Sequence, residues 1–198
     1  MALEYYVIDT ETTGLSADIN EVIEISIVRC SNKHQLTKQI RAEHPERAHP
    51  KALEVCGKTL ADIIKGDSKE SVVKRCEEFW EEDGLTSEHR CLIAHNAPFD
   101  KRFCHALWQK VGRVFPVVCW LDTIKLTKEW VKKAGVRQES FKLSSALKFA
   151  GITPMTGEHE AGADARNTYL LWKRAMDNKV NHLQAITRYP HLFEPPNP

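Results

Sequence analysis

The sequence predicts an α/β fold in which one mixed sheet, an antiparallel meander continued by parallel strands, is flanked by helices. The first forty residues hold three β-rich runs separated by polar turns. Beyond them, two short apolar runs, Cys91–Ala94 and Val117–Leu121, alternate with amphipathic helical segments. Strands first and strand–helix alternation afterwards suit a single sheet with helices packed on it. The 198 residues are enough for one domain with a sizeable core. That domain is expected over 1–180, followed by a proline-rich tail over 181–198, and no internal repeat or linker marks a second one.

Tyr5-Tyr-Val-Ile8 is β-rich and is read as a central strand, opening at Asp9-Thr-Glu11-Thr-Thr-Gly14-Leu15 into a glycine-containing turn. Val22 to Val28 forms a second strand, with Ile23, Ile25 and Ile27 on one face. Gln35 to Arg41 completes the meander after the polar turn Ser31-Asn-Lys-His34. Ala42 to Lys51 carries two prolines and two histidines and reads as an exposed loop. Short helices are expected over Ala52–Cys56 and Thr59–Ile64. Ser68 to Glu82 is an amphipathic helix, capped by Asp67 or Ser68 and ending near Gly84. Its acidic face (Glu77, Glu78, Glu81, Glu82) reads as solvated.

Cys91–Ala94 is a buried strand, and Pro98, suited to a first helical turn, starts a helix that runs to about Val111. Val117–Leu121 is another strand, ending at Asp122-Thr123, with a helix following through Trp130 and Lys133. Phe141 to Ala150 is a helix stopped by Gly151, and Ala161 to Asp177 is the last. Between Lys125 and Lys148 there are seven Lys/Arg against two acids. That excess suits either a phosphate backbone or a solvated basic face.

Composition excludes several classes. A net charge of +1 gives no global pull toward nucleic acid or membrane, so any such surface is local. No apolar run approaches the roughly 20 residues of a membrane span, and the first residues lack the pattern of a secretory signal. Six cysteines without a C-x-x-C pair read as reduced thiols rather than a zinc site or disulfide framework. A cytoplasmic compartment follows as the expectation.

The chemistry gathers in three places. Residues two apart on a strand share a face, so Asp9 and Glu11 point the same way at a strand end. They repel unless a cation lies between them, and a hard ion such as Mg²⁺ or Mn²⁺ suits carboxylate oxygen. Two solvated acids in a turn is the plain alternative. Asp100 falls in a first helical turn beside a second strand end, where it would also favour the helix dipole. His159 and Asp164 bracket the start of the last helix, a titratable base near a metal ligand. If the strand ends and helix start converge, Asp9, Glu11, Asp100 and Asp164 with His159 make a two-metal hydrolytic site.

Asp9-x-Glu11 followed by Thr-Thr-Gly-Leu15, then Asn96-Ala-Pro-Phe-Asp100, then His159-x-x-x-x-Asp164 resemble, in order and separation, the three motifs of the DEDDh 3′-5′ exonucleases. That superfamily includes the proofreading ε subunit of bacterial DNA polymerase III, ribonuclease T and the mammalian three-prime repair exonucleases, all of ribonuclease H-like fold. The resemblance covers Tyr5 to about Asp177. It implies that Asp9, Glu11 and Asp164 hold one divalent ion, Mg²⁺ or Mn²⁺, and that Asp9 with Asp100 holds or positions a second. It implies His159 as general base, on a lead-in, Glu160-Ala-Gly162-Ala, that leaves it mobile until substrate arrives. Thr12, Gly14 and Leu15 match the segment receiving the terminal nucleotide, Leu15 as a wedge against the base, while Asn96 and Phe99 shape the second motif. Val55-Cys-Gly-Lys-Thr59 is similar to the ε-like segment Val-His-Gly-Ile-Thr, with Cys56 for His and Lys58 for Ile.

The implied activity is a metal-dependent 3′-5′ exonuclease on single-stranded or frayed 3′ ends, releasing nucleoside 5′-monophosphates, with DNA favoured. The rival readings are an exoribonuclease of the same fold, a proofreading subunit with a polymerase partner, and a silent nucleic-acid-binding module.

Overall fold

A computed structural model describes residues 3–155 and 160–188. Six strands form one sheet: β1 (Glu4–Thr12), β2 (Val22–Arg29), β3 (Gln35–Gln39), β4 (Arg90–Ala94), β5 (Cys119–Asp122) and β6 (Ile186–Arg188). Their spatial order is β3-β2-β1-β4-β5-β6. β1, β2 and β3 pair antiparallel, and β4 and β5 add in parallel to β1. This is the expected mixed sheet. The sequence shows no strand after Asp177, yet β6 pairs antiparallel with β5, so the sheet continues past residue 180. Residues 189–198 of the expected tail lie outside the described residues.

Seven helices cover the sheet among the described residues: α1 (Pro50–Val55), α2 (Leu60–Ile63), α3 (Lys69–Glu81), α4 (Ala97–Lys110), α5 (Thr123–Ala134), α6 (Leu143–Phe149) and α7 (Ala161–Asp177). Strand alternation divides the core into two layers. Tyr6, Ile8, Ile25, Ile27 and Leu92 pack on one face against Val73 and Trp80 of α3 and Phe103 and Trp108 of α4. Val7, Val28, Ile93 and Leu121 pack on the other against Leu126 of α5 and Ala165 and Tyr169 of α7. Burial of these apolar surfaces, at about 25 cal/mol per Å², supplies the main force holding helices to sheet. All six cysteines are free. No helix among the described residues is long and apolar enough to cross a membrane.

Two expectations need refining. The stretch 42–51 is largely exposed, as expected, but it is ordered: it makes a 3-10 turn at Pro45–Arg47, and α1 starts already at Pro50 with His49 as its cap. The His49 amide donates to the Thr13 carbonyl at 2.7 Å, and Asn20 Nδ2 donates to the Arg47 carbonyl at 3.1 Å. The segment is thereby docked on the turn after β1. Nor is the acidic face of α3 wholly solvated, because Glu77 accepts a hydrogen bond from Trp108 Nε1 at 3.0 Å and pairs with Arg113. Ser68, rather than Asp67, caps α3.

Candidate active site

Asp9 and Glu11 project from the end of β1 on the face that α7 covers, since Val7, of the same parity, packs there. α7 packs across β1 and β2, and its first turn reaches the edge strand β3. Gly162 makes this approach possible: its carbonyl accepts from Gln35 Nε2 at 2.9 Å, and a Cβ there would come within 3.3 Å of Gln35 and Thr37. The lead-in expected to be mobile is therefore helical from Ala161 onward, and its glycine is a packing contact. The first turn of α7 brings Asp164 to the β1 acids. One carboxylate oxygen from each of Asp9, Glu11 and Asp164 lies within 4.8 Å of the others. His159, the fifth expected member, lies outside the described residues.

Asp100 arrives from the opposite face. β4 ends at Ala94, and Asn96 takes the left-handed conformation (φ 80°), which asparagine tolerates better than most residues, before Ala97-Pro98 opens α4. Asp100 in that first turn is 3% exposed and accepts a hydrogen bond from Thr10 Oγ1 at 2.9 Å. Thr10 alternates with Asp9 and Glu11, so Asp100 meets the strand from below and stays outside the group of three carboxylates. Its charge is nevertheless felt there. Burial and the charges of Asp100, Glu11, Asp164 and Glu24 hold Asp9 well above the usual carboxylate range. Burial, then Asp164 and Glu24, push Glu11 up to about 8. Burial pushes Asp100 up to about 7 against the opposing Thr10 hydrogen bond. Crowded, desolvated carboxylates with hard oxygen donors fit a divalent cation such as Mg²⁺ or Mn²⁺.

Two clefts flank the acids. One, of about 770 Å³, is lined by Glu11, Thr12, Gly14, Leu15, Val55 and Phe99 among others. Leu15 stands 82% exposed at its edge. Thr12 is buried and its hydroxyl donates to the Gly14 carbonyl at 2.7 Å, so it shapes the turn. Gly14 is tight against Asn20, whose side chain lies 2.4–2.7 Å from where a Cβ would sit. Phe99 packs at a tilt on Phe103, with ring centroids 4.8 Å apart. The second cleft, of about 650 Å³, is lined by His95, Asn96, Phe141, Lys142 and Asp164 among others. His95 Nε2 lies 2.9 Å from the Phe141 carbonyl and Nδ1 lies 2.9 Å from Thr123 Oγ1. A carbonyl only accepts, so Nε2 carries the proton and Nδ1 accepts. Burial lowers the His95 pKa, which agrees with a neutral ring.

The basic excess of 125–148 divides. Lys133 donates to the carbonyls of Asn178 and Lys179, Lys128 lies over the Phe141 ring, and Lys142 lines the second cleft. Site features not read from sequence are Thr10, which holds Asp100, and Glu24 with Lys58, which adjoin Glu11. Asp122 is a third: its Oδ1 accepts from the Asn96 amide at 3.3 Å and from Ile124 at 2.9 Å.

Comparison with known proteins agrees with this geometry. The DNA polymerase III PolC-type protein of Listeria monocytogenes is 33% identical over 182 residues, covering 90% of this chain and 12% of the relative. That of Thermotoga petrophila is 29% identical, covering 87% and 12%. The chain thus spans about one eighth of the length of these curated relatives. Among solved structures, cell-death related nuclease 4 superposes with a TM-score of 0.76 at 13% identity, covering 89% of this chain and 64% of that one. The nuclease domain of 3'hExo, a DEDDh family member bound to rAMP, gives 0.72 at 17%, covering 90% and 94%. The E. coli ExoI–ssDNA complex gives 0.76 at 16%, covering 93% and 42%. The RNase_T family model, described as exonuclease, matches residues 6–172. The chain belongs to this exonuclease family.

Proposed function

We propose that this exonuclease is divalent-metal-dependent and works in the 3′-5′ direction on single-stranded or frayed 3′ ends, releasing nucleoside 5′-monophosphates. The observation that carries the reading is the meeting of Asp9, Glu11 and Asp164 within 4.8 Å, from two elements far apart in sequence. These three would hold one ion, and Asp9 with Asp100 a second, of Mg²⁺ or Mn²⁺. Such ions supply charge neutralisation at the phosphodiester and a lowered pKa for attacking water.

The chain's own groups do the rest. The apolar edge of the first cleft, Leu15 with Val55 and Phe99, accepts a nucleobase, with Leu15 as wedge. Thr12 and Gly14 fix the turn on which that edge stands, and Asn96 sets the helix start that delivers Asp100. His159 takes the proton from water, a task suited to a near-neutral pKa. His159→Ala is expected to slow turnover by roughly 10²–10⁴-fold while leaving Mn²⁺ affinity within about twofold of wild type. Parallel measurement of turnover and Mn²⁺ binding checks this, and a loss of both in proportion would make His159 a metal ligand.

DNA is the favoured polymer, supported by the PolC-type relatives. An exoribonuclease is the rival, supported by the neighbour bound to rAMP. Matched 5′-labelled DNA and RNA oligomers decide: faster DNA digestion is expected, and an RNA preference of tenfold or more reverses the assignment. The same relatives support a polymerase partner in a proofreading role, which co-elution with a replicative polymerase tests.

A further inference from the structure

Glu24 and Glu11 are direct partners across β1 and β2. Like charges placed opposite one another destabilise a strand pair. Glu24 is nevertheless 9% exposed. Its carboxylate accepts from Lys58 Nζ at 2.6 Å, and the two side chains are 12% and 16% exposed. Lys58 is held in place by its own backbone. Its amide donates to the Leu53 carbonyl at 3.0 Å, and the preceding Gly57 takes φ 63°. The following Thr59 caps α2 through a reciprocal box with Asp62. The ammonium is therefore a fixed charge between α1 and α2, paired with Glu24, the cross-strand neighbour of Glu11.

We propose that Lys58 and Glu24 form a built-in counter-charge pair that sets the affinity of the neighbouring carboxylates for divalent metal. Glu24 adds negative field beside Glu11, and Lys58 offsets it, so that the crowded acids remain folded together without a cation. Lys58 is a positioning residue: it acts through Glu24 and Glu11. The inference rests on the metal-site reading above.

Removing one charge of the pair exposes the other. Lys58→Met leaves an unpaired carboxylate beside Glu11, which a cation then relieves. Glu24→Gln leaves an ammonium beside a ligand, which a cation must overcome. The test is Mn²⁺ binding by calorimetry and thermal unfolding in EDTA, on wild type, K58M, E24Q and the double variant. K58M is expected to bind Mn²⁺ roughly tenfold more tightly and E24Q roughly tenfold more weakly, the size of one close charge at partial burial. The double variant returns to within about twofold of wild type. K58M also unfolds at a lower temperature in EDTA, and saturating Mn²⁺ closes that gap. A residue that merely packs the α1–α2 connection would shift both single variants the same way, and that result, or shifts below twofold in both, overturns the proposal. If K58M fails to fold without metal, the weakening in E24Q and its reversal in the double variant decide. Asp9→Ala is the control: Mn²⁺ binding unchanged in that variant overturns the metal site itself rather than the pair.

Discussion

Asp9→Ala is expected to reduce metal-stimulated turnover by about a thousand-fold or more, because a bound ion contributes several kcal/mol at the transition state. Asp9 faces Glu11 and Asp164 directly and feels the charge of Asp100, which places it between the two proposed ion positions. The variant should fold. Removing Asp9 deletes a carboxylate that Asp100, Glu11, Asp164 and Glu24 all oppose, so its thermal midpoint in EDTA at pH 8 is expected to match or exceed that of wild type. Turnover within tenfold of wild type at saturating Mn²⁺ would contradict the assignment. A low midpoint would show that Asp9 is structural instead.

Stability of the metal-free protein should fall as pH rises, and Mg²⁺ should flatten that fall. Glu11 is raised from 4.5 to about 8 and Asp100 from 3.8 to about 7. Between those limits the folded chain binds more protons than the unfolded one, so the slope of stability with pH is negative. The contribution of these groups is fully present below pH 4 and is lost as pH climbs through 7 to 8. Several kcal/mol at this chain length correspond to a drop on the order of 10 °C in Tm. A cation bound to the ionised carboxylates stabilises the folded form by mass action and opposes the drop. Thermal unfolding from pH 5 to 9, in EDTA and in 10 mM-scale Mg²⁺, checks both parts. A metal-free midpoint that rises over pH 5–8 would mean the acids are paired by something other than a cation.

How far the sequence foretells this site varies with the range of the forces involved. α7 is found over Ala161–Asp177, where it was expected, because its apolar period lies wholly within the segment. Likewise β1, β2 and β4 carry their own β-rich or apolar signal. β6 does not: Ile186-Thr-Arg188 is three residues beside a proline-rich tail, and only pairing with β5 makes it a strand. The stretch 42–51 reads as loop from its prolines and histidines, but hydrogen bonds to Thr13 and from Asn20 give it a fixed place on the first cleft. The acids Asp9, Glu11 and Asp164 were legible as one group. Asp100 was expected beside them, and its approach from the other face of the sheet, which depends on α4 packing beneath Thr10, was not legible. Glu24 was hidden inside an isoleucine-rich strand, since its partner Lys58 lies 34 residues away.

Asp9, Glu11, Asp164 and Asp100 are proposed to assemble a metal-dependent centre that removes nucleotides from a 3′ end. A 5′-labelled single-stranded DNA incubated with the protein and Mg²⁺, with products resolved at nucleotide resolution, tests it most directly. The expected result is a ladder shortening one residue at a time from the 3′ end, with nucleoside 5′-monophosphates released, absent in EDTA and in Asp9→Ala. Label appearing at once as a mononucleotide, internal cuts, or an undiminished ladder in EDTA would contradict it.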